Sequence, residues 1–99
     1  RWEPPVDVFE TPERLVVTVA LPGVRADRIE VEAEDGALTV RASRPAPFGA
    51  ETRAIRHLEI PYGRFERRIG LPPGLYELIR NEFVDGCLYI ALAKRGERT

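Results

Sequence analysis

The sequence has few of the residues on which most catalytic and metal sites depend. It holds one cysteine, Cys87, one histidine, His57, one serine, Ser43, and no methionine. An internal disulfide is impossible, and an ordinary zinc site, which takes about four Cys, His or carboxylate ligands, is nearly excluded. A Ser/His pair would have to use Ser43 and His57, but no glycine-flanked elbow surrounds the serine. We therefore expect a binding or structural module with no catalytic residues, no cofactor and no metal.

The chain also lacks long apolar runs and an excess of charge. Fifteen basic and sixteen acidic side chains give a net charge of -1, which argues against a nucleic-acid or membrane binder held by bulk charge. No segment approaches the length of a bilayer span, and the first residues contain no signal-peptide core. We expect one soluble, cytoplasmic domain over residues 1–99, since 43% hydrophobic residues suffice for one core.

The main pattern in the sequence is an alternation of apolar and other side chains with a period of two. Apolar side chains take every second position in residues 14–21, 29–34, 38–43 and 88–93, which predicts half-buried strands. Asp35-Gly36 and Asp85-Gly86 each separate two such runs and predict hairpin turns, and Pro22-Gly23 predicts a type II turn. Single helical turns are predicted near residues 26–29 and 75–78. Short antiparallel strands at this spacing predict an all-β, immunoglobulin-like β-sandwich of about seven to eight strands.

Residues 44–57 are the least regular part of the chain. Two prolines and a glycine precede a short run centred on Ile55. The segment is either a disordered surface loop or a projecting arm with a strand at its tip. Charge is uneven around it: residues 1–40 hold four basic and nine acidic side chains, whereas residues 41–68 hold seven basic and three acidic ones. The two regions could attract each other, although solvated faces explain most of these charges equally well.

Arg67 stands out in the strand at residues 63–71. Alternation places it in line with Phe65, Ile69 and Leu71, whereas Arg68 points to the other face. A guanidinium keeps its proton and is expensive to desolvate without a partner. Arg67 therefore needs a binding partner on the apolar side of its strand.

Four motifs in order resemble the α-crystallin domain of small heat-shock proteins. RWEPPVDVFET at residues 1–11 is similar to the family's Trp-x-Pro-x-x-Asp opening, and VALPGV at 19–24 to its Leu-Pro-Gly turn. YGRFERRIGLP at 62–72 resembles its Gly-x-Phe-x-Arg strand, and DGCLYIALAK at 85–94 its last strand. Asn81, Cys87 and Ala93 depart from the family's alanine, valine and proline. The departures concern the details of binding and leave the fold unaffected.

The resemblance implies an ATP-independent holdase chaperone that binds partly unfolded client proteins. It also implies a groove between the strand at residues 29–34 and the strand at 79–84, where an Ile-x-Ile tail of a neighbouring chain would bind. Its candidate residues are Ile29, Val31, Ala33, Ile79, Asn81 and Phe83. The variable N-terminal arm and the Ile-x-Ile tail of the family are absent from this chain, so we expect a dimeric core that protects clients weakly. Larger oligomers would need the full-length ends.

In bacterial and plant members of the family the irregular loop is exchanged between partners. The resemblance thus implies a loop-swapped homodimer in which residues 53–57 pair with residues 6–10 of the neighbour, and in which Arg67 is an interface or intersheet anchor supported by acidic partners. The candidate interface residues are Val6, Asp7, Phe9, Phe48, Arg53, Ile55, His57 and Arg67. The alternative is an adaptor of the CS-domain type, which has a similar sandwich but lacks the swapped loop.

Overall fold

The computed structural model describes residues 2–96, which form seven β-strands and one turn of 3-10 helix at Ala26–Arg28. The strands are β1 (Val6–Glu10), β2 (Arg14–Ala20), β3 (Ile29–Glu34), β4 (Ala37–Arg44), β5 (Gly63–Gly70), β6 (Tyr76–Val84) and β7 (Cys87–Lys94). All pairings between strands are antiparallel. Within the described part of the chain, no helix is long and apolar enough to cross a bilayer.

The strands form two sheets that share one hydrophobic core. One sheet has the order β1-β2-β7-β6 and the other the order β3-β4-β5. Strands β1 and β6 are therefore the edges of the first sheet, and β3 and β5 are the edges of the second. The predicted β-sandwich is confirmed.

The core is built from the inward faces of the central strands, as the alternation predicted. Leu15, Val17 and Val19 of β2 are almost completely buried, and they meet the inward residues of β4 and β7. Burying one such aliphatic side chain contributes about 1.5–3 kcal/mol. The remaining core residues are Leu21, Val24, Leu38, Val40, Ala42, Phe65, Ile69, Leu88, Ile90 and Leu92.

Both Asp-Gly pairs form the hairpin turns that the sequence predicts. Asp35 and Gly36 have φ angles of +52° and +72°, and Asp85 and Gly86 have φ angles of +50° and +76°. Two successive residues with positive φ define a type I′ turn, whose twist matches that of the flanking strands. The first turn joins β3 to β4 and the second joins β6 to β7.

Strand β6 differs from the prediction in two ways. The helical turn expected at residues 75–78 is wrong, because Tyr76 already begins β6 and the backbone of Leu75 hydrogen-bonds to that of Arg95 and Gly96. A β-bulge also interrupts the pairing of β6 with β7 between Leu78 and Arg80. Alternation is lost at Ile79, so this residue does not share the face of Asn81 and Phe83 as predicted.

Residues 45–62, which connect β4 to β5, form an arm. Every residue from 45 to 60 is exposed, and within the described residues the arm's backbone makes no hydrogen bond to the backbone of the strands in either sheet. The domain measures 59 × 23 × 20 Å and its radius of gyration is 16.2 Å, against about 13 Å for a compact domain of 100 residues. The segment projects from the sandwich, but the strand that the second alternative placed at its tip is not seen. Residues 53–57 form no strand within the single chain.

The first residues form a strap, residues 2–5, that joins the two sheets. The N–H of Trp2 donates to the carbonyl of Arg64 at 2.9 Å, and the carbonyl of Trp2 accepts from the N–H of Glu66 at 2.9 Å. Three residues later the carbonyl of Pro5 accepts from the N–H of Ala20 at 3.0 Å. Trp2 is thus bound to an edge of one sheet, and Pro5 is bound to the other sheet.

Arg67 holds the middle of this strap. Its guanidinium Nη1 donates to the carbonyl of Pro4 at 3.2 Å, and Pro4 is fully buried. Arg67 lies opposite the core residue Val40 in the β4–β5 pairing and is half-buried, whereas Arg68 is exposed. Within this chain the hydrogen-bond partner of Arg67 is therefore a backbone carbonyl, and the acidic partner that the resemblance implied is not found among residues 2–96.

The two type I′ turns give a matched pair of substitutions. We expect Gly36→Ala to lower the free energy of unfolding by about 1–2 kcal/mol, the usual penalty of a left-handed conformation for a residue with a Cβ. Gly86→Ala should lower the free energy of unfolding by about 1–3 kcal/mol more than Gly36→Ala, because it overpacks the turn. The added Cβ would lie 3.2 Å from the Cα of Pro22, whereas a Cβ at Gly36 would have no atom within 4 Å. Urea unfolding of both variants measures the difference; equal costs would contradict this assignment.

The strap gives a second prediction with a built-in reporter, since Trp2 is the sole tryptophan. Arg67→Ala should lower the free energy of unfolding by about 1–2 kcal/mol, somewhat less than the contribution of a hydrogen bond to a fully buried charged group. Arg68→Ala should change it by no more than about 0.5 kcal/mol. Trp2 fluorescence should also become easier to quench with iodide in Arg67→Ala alone. Equal quenching in the two variants would mean that Arg67 does not hold the strap.

Candidate functional site

An apolar groove lies where the open edges of the two sheets face each other. Strand β3 contributes Ile29 and Val31, and β6 contributes Asn81 and Phe83. Neither strand has a second neighbour within the described residues, so each presents unpaired backbone N–H and C=O groups. The groove encloses about 200 Å³, and its lining is completed by Ala26 and Leu88.

The size of the groove favours side chains of an extended segment over a small-molecule ligand. Its volume of about 200 Å³ is below the range of about 300–1,000 Å³ that is usual for small-molecule pockets. A segment added to an edge strand would gain backbone hydrogen bonds, and its alternate side chains would enter the groove. The arrangement is chemically suited to strand addition.

The structure brings together four of the six residues predicted for the groove, Ile29, Val31, Asn81 and Phe83. Ala33 is exposed near the end of β3 and does not line the groove. Ile79 is displaced from the lining by the bulge in β6.

Two lining residues, Ala26 and Leu88, were missed. Leu88 could have been found from the hairpin at Asp85-Gly86, because that turn places it opposite Phe83. Ala26 lies in the 3-10 turn that precedes β3. A turn was predicted there, but no pattern in the sequence places it at the end of the groove.

Asn81 gives the groove one polar group. The residue is exposed, so its amide is hydrated in the single chain and needs no protein partner. A bound segment that covers it would have to supply a hydrogen bond or leave the amide unsatisfied. This departure from the family's alanine therefore leaves no buried polar group without a partner in the single chain.

The strands beside the groove carry ion pairs on their outward faces. Arg80 contacts Glu82 at 2.7 Å and holds the pKa of that carboxyl below its usual range. On β3, Glu32 contacts Arg41 at 2.9 Å, and its pKa is lowered first by a hydrogen bond with Glu34 and then by Arg41. All five side chains are exposed, so these pairs keep both strands charged on the solvent side and contribute little to stability.

Seven of the eight residues predicted for a dimer interface lie on two separate surfaces, and the eighth, Arg67, lies on β5. Val6, Asp7 and Phe9 belong to the edge strand β1, and Phe9 is 60% exposed. Phe48, Arg53, Ile55 and His57 belong to the arm, where Ile55 is 53% exposed.

Contacts within the arm are local. Phe48 packs edge-on against Tyr62 with ring centroids 6.0 Å apart, and His57 contacts the Glu59 carboxylate. Among the described residues no hydrogen bond or ion pair joins the arm to β1 of the same chain. Arg67, the last predicted interface residue, contacts the strap. The interface assignment stays a prediction.

Comparison with known proteins agrees with this architecture. The model of the Hsp20/alpha crystallin family matches residues 7–99. A 16.6 kDa heat shock protein of rice, Oryza sativa, is 42% identical over 73 residues, which are 70% of this chain and 49% of that protein. An 18 kDa heat shock protein of Streptomyces albus is 34% identical over 97 residues, which are 95% of this chain and 68% of that protein. The chain thus spans about half the length of the rice relative.

A solved structure shows the same fold. The small heat-shock protein of Xylella fastidiosa superposes with a TM-score of 0.82 at 31% identity, covering 99% of this chain and 91% of that one. Together with the family match over nearly the whole chain, this likeness shows that the chain belongs to the Hsp20/alpha crystallin family, whose members are small heat-shock chaperones and not enzymes.

Proposed function

We propose that this domain is the core of an ATP-independent holdase that binds partly unfolded proteins and keeps them from aggregating. The observation that carries the proposal is the groove between β3 and β6, where two unpaired edges face each other across apolar side chains. Unfolding proteins expose extended apolar segments, and such segments can add to an open sheet edge. The site needs no nucleotide, since it acts by binding alone.

Exposed apolar side chains outside the groove support the same proposal. Val8 of β1 is 46% exposed, and Leu58 and Ile60 of the arm are 55% and 58% exposed. Large apolar side chains that cluster on a surface mark a site of protein contact. The arm and β1 therefore offer further binding surface.

We further propose that two chains form a dimer by exchanging arms, with residues 53–57 of one chain paired to β1 of the other. The outer edge of β1 is unpaired, and the arm is exposed along its length. Charge also favours the pairing, because Arg53 and Arg56 would approach Asp7 and Glu10. Phe9 and Ile55 would lose the exposed apolar surface that they have in the single chain.

Assemblies larger than the dimer are proposed to need segments outside the described residues. The Xylella fastidiosa protein, for its part, has a distinct high order structure. In our proposal an Ile-x-Ile tail of a neighbouring chain would bind the groove between β3 and β6. The expectation that this chain lacks such a tail concerns sequence after Gly96 and lies outside the described residues. A cytoplasmic location, without binding to nucleic acid or membranes, also stays a prediction.

The holdase activity is tested by heating a model client such as citrate synthase and following light scattering with increasing amounts of the chain. Val31→Asp puts a charge into the groove. It should raise about tenfold the concentration of chain that halves the aggregation of the client, as expected for a loss of about 1.4 kcal/mol in binding free energy. Val84→Asp is the matched control, since Val84 is 44% exposed and lies outside the groove. No suppression by the unmodified chain would favour the adaptor alternative.

The dimer is tested by size-exclusion chromatography with multi-angle light scattering at micromolar concentration. Ile55→Asp should shift the chain to monomer, because it adds a negative charge beside the acidic β1 of the partner and removes an apolar contact. Val84→Asp serves again as the control and should remain dimeric. A monomer for the unmodified chain, or a dimer for Ile55→Asp, would argue against arm exchange.

The polar group in the groove gives another prediction. Asn81→Ala should tighten binding of an Ile-x-Ile peptide about fivefold or more, because covering an unsatisfied amide costs about 1–3 kcal/mol. Isothermal titration calorimetry of both proteins with the same peptide measures the change. Unchanged or weaker binding would mean that the amide is hydrogen-bonded in the complex.

A further inference from the structure

Arg44 occupies the root of the arm, at the point where the chain leaves β4. Its guanidinium donates to two carbonyls that belong to different segments: Nη1 to that of Pro22, and Nε and Nη2 to that of Pro61, the latter two at 3.0 and 2.5 Å. Pro22 lies in the turn after β2, and Pro61 lies where the arm returns to β5. One side chain thus ties the start of the arm, the end of the arm and the body of the sandwich together.

Aromatic rings complete the surroundings of this guanidinium. Its central carbon lies 4.8 Å from the centroid of Phe65, a core residue, and 5.9 Å from that of Tyr62. A guanidinium over aromatic faces is stabilised further by cation–π attraction. The planar guanidinium can also donate to two carbonyls at once, which a lysine ammonium does less well. The carbonyl of Tyr62 also accepts a hydrogen bond from the indole Nε1 of Trp2 at 3.0 Å, so the strap abuts the same root.

The stem of Arg44 passes close to Gly23 in the turn. Gly23 has a φ of +80°, and a Cβ at this position would lie 3.3 Å from Cδ of Arg44. The stem of the arginine therefore occupies space that a side chain at residue 23 would restrict. Arg44 thus packs against the turn and hydrogen-bonds to both proline carbonyls in the same place.

Beyond this root, little else in the single chain fixes where the arm points. Residues 45–60 are all exposed, and within the described residues the one backbone hydrogen bond between residues of this stretch is local, from the N–H of Thr52 to the carbonyl of Gly49. The Phe48–Tyr62 ring contact also lies within the arm. The direction of the arm then depends on the contacts at its two ends.

We propose that Arg44 is a positioning residue that sets the direction of the arm and thereby makes the chain competent for partner binding. This inference rests on the proposed arm exchange. Both chains must present a correctly directed arm. If the arm of a free chain points correctly for only a fraction of the time, the apparent dissociation constant of the dimer therefore rises by the inverse square of that fraction. Arg44 keeps this fraction high by closing the root before a partner arrives.

The experiment measures arm direction and dimer affinity separately. In a Cys87→Ser background, spin labels at Glu13→Cys and Glu51→Cys report the distance between the sandwich and the arm by electron-electron resonance. The labelled chains also carry Ile55→Asp, which the arm-exchange proposal expects to keep them monomeric, so that the distance reports the arm of a free chain. Sedimentation measures the dimer dissociation constant of the unlabelled proteins. Arg44→Gln is compared with Arg64→Gln, because Arg64 is an exposed arginine at the start of β5.

Arg44→Gln should broaden the distance distribution and raise the dissociation constant about tenfold, the change expected when the competent fraction of each of the two chains falls to about a third. Arg64→Gln should leave both unchanged. If Arg44→Gln does not fold, Arg44→Lys, which keeps the cation, should still broaden the distribution. A narrow distribution in both Arg44 variants would overturn this proposal while leaving arm exchange intact, whereas a monomeric unmodified chain would contradict arm exchange itself.

Discussion

The unpaired backbone of the sheet edges is the constraint on which the rest of this structure depends. Two small sheets that pack face to face bury their side chains well but leave four edge strands, β1, β3, β5 and β6. Unpaired N–H and C=O groups on such edges invite any extended segment to pair with them. The surroundings of each edge differ. Trp2 of the strap pairs with part of β5, β3 and β6 border the groove, and within residues 2–96 the outer edge of β1 is unpaired.

A protein with open edges must also avoid uncontrolled pairing with its own copies. Strand β3 alternates Glu30, Glu32 and Glu34 with its apolar residues, and all three glutamates are exposed. Strand β6 carries the Arg80–Glu82 ion pair and a bulge at Ile79. Charge and bulges on edge strands oppose flat edge-to-edge association. These charges lie on the outward faces of the two strands and leave the inward apolar residues uncovered.

The sequence predicts the sandwich well wherever short-range rules apply. Alternation identified the inward residues of β2, β4 and β7, and Asp-Gly and Pro-Gly pairs located the turns, because turn geometry restricts which residues can adopt positive φ. The bulge at Ile79 was missed because it changes the register of one strand against its neighbour, and no residue in the run 76–84 signals this. Of the six residues predicted for the groove, four therefore line it, whereas Ala33 lies near the end of β3 and Ile79 lies at the bulge.

The strap and the root of the arm could not be predicted for a different reason. Both depend on contacts between residues that are far apart in the chain, such as Arg67 with Pro4 and Arg44 with Pro22. Alternation showed that Arg67 needed a partner, but it could not say which one. Acidic side chains are the usual partners of arginine, and nothing in the sequence marks the carbonyl of Pro4 as the partner instead.

The partners of the two arginines share a property that explains why arginine is used. Pro4, Pro22 and Pro61 all lie outside the strands, where the chain crosses between the sheets, turns after β2 or returns from the arm. A proline fixes φ and has no N–H for a ladder, so it suits such crossings, but its carbonyl still needs a donor when it is withdrawn from water. The long apolar stem of an arginine on a neighbouring strand can bring its N–H groups to such a carbonyl, and one guanidinium can donate to two carbonyls. The guanidinium on the apolar side of β5 is thus the donor that lets a proline-rich segment leave one sheet and join the other.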